Sequence, residues 1–116
     1  MLRSDGTLVV ETAHRDGFAR FTRANPTRTW NPLPDGGLFL QEHETDWVKG
    51  TTSALHMIVT AEGERVERRY IHHLYSMKEW AEMLREAGFD EVQTFGRWEG
   101  ERPATPEDWR LIICAR

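Results

Sequence analysis

Met1-Leu2-Arg3-Ser4-Asp5-Gly6, followed by Thr7-Leu8-Val9-Val10-Glu11-Thr12-Ala13, reads as a turn that delivers the chain into a strand. The Asp5-Gly6 pair gives the backbone access to left-handed φ. The run after it is almost continuously apolar and β-branched, which predicts a strand covered on both faces inside an α/β sheet. An interior strand needs a neighbour on each side, and the remaining sequence is short of strands to supply both. The chain is therefore expected to open in the middle of a domain.

The 116 residues suffice for one domain, 1–116, with a real core. Hydrophobic content of 39% and charged content of 29% are those of a soluble globular protein and argue against disorder. A net charge of −4, with arginines dispersed, gives no reason to expect nucleic acid or an acidic membrane surface. No apolar stretch approaches a membrane span, and no secretory leader is evident, so a cytoplasmic location is expected. The single Cys114, in the run Leu111-Ile112-Ile113-Cys114-Ala115, excludes an internal disulfide and reads as a buried, inert thiol. Five tryptophans exceed what so small a core needs, which points some of them to a pocket or an interface.

Beyond Ala13, Phe18 and Phe21 fit one short helical turn, and Pro26, Pro32 and Pro34 stop anything longer. Residues 27–37, with Trp30, read as irregular. Three strands are expected at 38–46, 52–60 and 64–74, joined by short glycine-containing connectors as an antiparallel meander inserted over 38–74. Glu42, Glu44, Glu67 and Arg69 suggest one face in water. A helix comes next, with Ser76 and Glu79 as a capping box, Tyr75 and Trp80 as a staple, and Gly88 as its left-handed end. Its apolar stripe is Met77, Trp80, Ala81 and Leu84, and Phe89 is placed to fold back on Leu84. Strands at 91–98 and 109–115 close the series, and 99–108 is an exposed connector.

The turn Leu2-Arg3-Ser4-Asp5-Gly6, the strand Thr7 to Ala13, an insertion, a helix opening at Ser76 and ending Glu86-Ala87-Gly88-Phe89, and two last strands form a recognisable order. It resembles the C-terminal half of class I S-adenosylmethionine-dependent methyltransferases. The resemblance implies an α/β fold (α+β in the isolated chain). The sheet would be the C-terminal part of a Rossmann-like sheet, strands five, seven and six plus one helix, carrying a three-stranded meander. Serine and aspartate replace the proline and first glycine of the family's turn. No G-x-G occurs anywhere, and the family's glycine-rich cofactor turn has no counterpart. The resemblance thus implies a substrate-side portion that uses S-adenosylmethionine only together with a partner chain, acting on a small molecule. The alternative is a non-catalytic binding or dimerisation module. In either case the strand Thr7 to Ala13 offers an edge to a second copy or to a separate N-terminal half.

His14 and Arg15 lie just past the carboxyl end of the first strand, where α/β sheets bind ligands. His14 as a base and Arg15 as an anion clamp stand beside a plain loop that caps its own backbone. Trp30, Tyr70 and Tyr75 are pocket walls or core residues. His43, His56, His72 and His73 lie on neighbouring strands; His72 and His73 point to opposite sides, and half-exposed strand histidines are favoured over a metal site. Glu11, a carboxylate in an apolar run, is expected to hold an arginine of the loop after it.

Overall fold

The computed structural model describes residues 2–116. It is a mixed α/β chain of two antiparallel sheets and two helices, dividing into two compact units. One comprises the residues up to Ala24 together with Tyr75–Arg116, and the other is Asn25–Leu74. Among the described residues no helix is long and apolar enough to cross a membrane.

The opening turn closes through the Gly6 N–H on the Arg3 carbonyl at 2.9 Å, and Met1 lies outside the described residues. The expected left-handed glycine is absent there, for none of the positive-φ glycines is Gly6. Gly6 is needed for space instead: a Cβ would sit 2.8 Å from Leu2 Cγ and 3.0 Å from the Arg3 carbonyl oxygen.

In the first unit, strand β1 (Leu8–Ala13), strand β6 (Val92–Phe95) and strand β7 (Arg110–Ala115) form a sheet in the order β1-β7-β6, every pair antiparallel. Alternation sends Leu111, Ile113 and Ala115 to one face, where they form a core with Leu84. Leu8, Val10, Trp80 and Phe89 pack around that core. Coverage of β1 on both faces is not observed. Its burial alternates, Val9 is 48% exposed, and β7 is its one strand neighbour among the described residues. A β-branched sequence that suits an interior strand thus lies at an edge with one face open. Cys114 shares that open face and is half-buried rather than buried.

Helix α2 (Met77–Glu86) has the expected ends. Ser76 Oγ accepts from the Glu79 N–H at 3.1 Å, and Glu79 Oε1 accepts from the Ser76 N–H at 3.0 Å. Tyr75 and Trp80 stack edge to face at 5.7 Å. At the other end Gly88 has φ 104°, and the Phe89 and Gly88 N–H groups bond the Leu84 and Arg85 carbonyls, a Schellman termination.

Helix α1 (Arg15–Ala24) corrects the expectation of a single turn. Pro26 lies two residues past its end, so it limits the helix without shortening it. Asp16 in the first turn and Arg23 in the last complement the helix dipole. Phe18 and Phe21 stack at 6.1 Å, and Phe21 meets Trp109 at 5.4 Å.

The second unit is a sheet of four strands, β2 (Arg28–Pro32), β3 (Leu38–Asp46), β4 (Thr51–Val59) and β5 (Arg65–His73), in sequential order. The meander therefore has four strands, not three, because Trp30 and its neighbours pair with β3. The mostly exposed side chains of β2 hide an edge strand whose apolar content is low, and Pro32 is its last residue. The Leu33–Gly37 connection is its hairpin loop, with Gly36 at φ 89° and the Leu33 N–H on the Gly37 carbonyl at 2.8 Å. Glu42, Glu44, Glu67 and Arg69 do share a face, as the register pairs Glu42 with Leu55 and Leu55 with Arg69.

Candidate functional site

At the carboxyl end of β1, His14 precedes α1 and its carbonyl accepts the Phe18 N–H at 2.9 Å. The next residue, Arg15, donates its backbone N–H to the Tyr75 carbonyl at 2.9 Å, so the junction of β1 and α1 meets the start of α2. His14, Arg15 and Tyr75 are thereby brought together within the first unit. The Arg15 charge helps hold the Glu79 carboxyl below its usual range, after the larger effect of the Ser76 hydrogen bonds.

His14 itself is fully buried, and its Nε2 lies against the Asp108 carbonyl. A carbonyl only accepts, so Nε2 is the donor in that contact, which leaves Nδ1 as the second ring nitrogen. That Nδ1 is buried without a partner among the described residues. The exposed connector 99–108 thus ends in an anchored residue. Asp108 Oδ1 accepts from the Arg102 guanidinium at 2.6 Å, and its Oδ2 accepts from the Thr105 N–H at 3.0 Å. The Arg102 hydrogen bond is the main reason its carboxyl falls to about 2.

Among the described residues the partners of Glu11 are Trp98 and Arg110. Trp98 Nε1–H donates to Glu11 Oε2 at 2.6 Å, and Arg110, opposite Ala13 on β7, lies 3.1 Å from Oε1. The second contact is a charge contact, bent away from hydrogen-bond geometry. Both side chains are about two-fifths exposed, so the pair contributes little on its own.

Trp30 and Tyr70 belong to the second unit and to opposite faces of its sheet. Trp30 pairs with Leu40 and is 57% exposed, whereas Tyr70 pairs with Ala54. They do not wall one pocket on this sheet. On the Glu42 and Arg69 face an open groove of about 380 Å³ runs over Ser53, Leu55 and Ile71, flanked by Glu42, Glu44 and Arg69.

The opposite face carries a cluster that single-strand reading scattered. The register sets Gln41 against His56 and His56 against Arg68, with His43 and Tyr70 flanking Ala54 and His72 opposite Thr52. Tyr70 Oη lies 2.6 Å from His56 Nε2 and 2.8 Å from Nδ1, and the Gln41 amide is 3.3 Å from Nε2. The rings of Tyr70 and His72 are 4.9 Å apart, and those of His43 and His56 6.3 Å. Burial first, then His72, lowers the His43 pKa; burial, then His43 and His72, lowers that of His56. Burial raises the Tyr70 phenol. Among the described residues no group of three His, Cys, Asp or Glu side chains is disposed to hold a metal ion.

No protein-family model and no curated protein sequence matches the chain. Solved structures do. The chain is similar to the CcbJ methyltransferase from Streptomyces caelestis over 99% of its own length, with 22% identity and a TM-score of 0.73. It is similar to an S-adenosylmethionine-dependent methyltransferase from Clostridium acetobutylicum over 99% of its length, with 8% identity and a TM-score of 0.74. The fold is methyltransferase-like. The chain spans less than half of either structure, 45% and 46% respectively.

Among the described residues no glycine turn joins a strand to the helix after it. Gly36, Gly50 and Gly63 sit in hairpin connections, Gly88 ends α2, and Gly100 lies between β6 and β7. The junction of β1 and α1 is Ala13-His14-Arg15, with no glycine.

Proposed function

We propose that this chain is the acceptor-side portion of an S-adenosylmethionine-dependent methyltransferase acting on a small molecule, its methyl donor held by polypeptide beyond the described residues. One observation supports the reading above the others. A strand of interior character, β1, is open along one edge and one face, in a chain matched end to end by less than half of two methyltransferases. The free edge is the natural point of attachment for the donor-binding strands, whether they belong to a longer form of this polypeptide or to a partner. Arg15 and Tyr75, where β1 meets both helices, contact the acceptor. Trp30 and Tyr70 lie on opposite faces of the second unit's sheet and take no part in that contact. His14, enclosed against Asp108, fixes the turn that presents Arg15; as a base it would need the Asp108 segment to move aside.

The alternative, a non-catalytic module that closes the same edge with a second copy, rests on the same strand. Sedimentation velocity tests the shared requirement. The chain alone is expected to self-associate at micromolar concentration, and Val9→Lys, which sets a charge on the open face of β1, is expected to weaken that association. A well-folded monomer throughout this range would count against both readings.

A further inference from the structure

We propose that the sheet face carrying Gln41, His43, His56, Arg68, Tyr70 and His72 binds an oxyanion, a carboxylate or phosphate group on a small molecule. The site stands on the second unit alone and does not depend on the methyl-transfer reading.

The cross-strand register is the primary observation. Alternation along β3, β4 and β5 sends these six residues to one face and the strand carboxylates Glu42, Glu44, Asp46 and Glu67 to the other. The residues that accompany the cluster are uncharged: Thr29 and Asn31 from β2, Phe39 and Thr45 from β3, Thr52 from β4. This face therefore gathers hydrogen-bond donors with no negative group among the described strand residues to answer them. Arg68 is a permanent cation; it uses one donor on the Glu67 carbonyl at 2.9 Å and has four more. Tyr70, Gln41 and His56 are already linked to one another, which fixes their positions. The His43 Nδ1 is buried with no partner among the described residues.

A purely structural role accounts poorly for this grouping. When protonated, three imidazoles on one small surface oppose one another's charge, and folding gains nothing from that repulsion. An anion seated among them turns the repulsion into attraction and accepts charge-assisted hydrogen bonds from Arg68 and from protonated histidines. Burial chiefly, and the neighbouring imidazoles after it, depress the affinity of His43 and His56 for protons. By linkage, an anion that favours the protonated rings binds more tightly as pH falls through the histidine range.

Histidine ring NMR on the full chain tests this with inorganic phosphate and, separately, acetate as probes. At about pH 6 one or both should shift the His43, His56 and His72 signals saturably, with affinity falling about tenfold by about pH 8. The stronger probe separates phosphate from carboxylate recognition. His73 lies on the opposite face and His14 in the other unit, so their signals should stay put. Arg68→Gln should weaken binding about fivefold or more while leaving the His14 signal, a marker of the fold, unchanged. Shifts no larger than those from chloride at equal ionic strength, or equal shifts at His73, would overturn the proposal. Affinity that does not change with pH would do the same.

Discussion

Replacing Gly17 with alanine is expected to lower the melting temperature by about 10 °C, corresponding to a loss of about 2 kcal/mol. The sign separates packing from propensity. Inside a helix, alanine is ordinarily the better residue by about 1 kcal/mol, so propensity alone predicts a gain. Gly17, in the first turn of α1, has no room to realise it: an added Cβ would overlap the Asp108 carbonyl group and approach His14 Nε2 to 2.7 Å. These obstacles are backbone and a fully buried ring, so neither moves aside cheaply. Differential scanning calorimetry decides between them. An unchanged or raised melting temperature would show that α1 does not lie against the Asp108 segment.

The second large effect belongs to Asp108, where the 99–108 connector is tied down. Asp108→Ala removes the acceptor of the part-buried Thr105 N–H and releases Arg102 to water, and is expected to cost about 1–2 kcal/mol. Asp108→Asn keeps the shape and removes the charge, and pH then isolates the electrostatic part. The folded carboxyl titrates at about 2, below its ordinary 3.8, so the ionised form is the one the fold favours. Its contribution is fully present above about pH 5 and is lost as pH falls towards 2. The loss should amount to about 1–2 kcal/mol, reduced because Arg102 is nearly half exposed to screening water. Urea unfolding of both proteins between about pH 5 and pH 2.5 should show this slope in the parent and not in Asp108→Asn. Parallel slopes would refute the assignment.

Residues that act locally made their structure legible in the sequence. Ser76, Glu79 and Gly88 fix the ends of α2 through hydrogen bonds spanning a few residues, so their spacing alone locates it. The hairpins at Gly50 and Gly63 are readable for the same reason. The edge strand β2 was hidden because its stability comes from pairing with β3 and not from apolar side chains of its own. The length of α1 depends on Phe21 meeting Trp109, eighty-eight positions away. The histidine cluster needed the cross-strand register, which period-two alternation within one strand leaves undetermined. Asp108 looked like surface because its partners Arg102 and Thr105, although close in sequence, lie in a segment without periodicity.

Whether the donor-binding portion lies outside these residues is addressed directly by isothermal titration of the chain with S-adenosylmethionine. No saturable heat is expected up to about millimolar ligand, since no glycine turn joins a strand to a helix here. Stoichiometric binding in the micromolar range by this chain alone would contradict it.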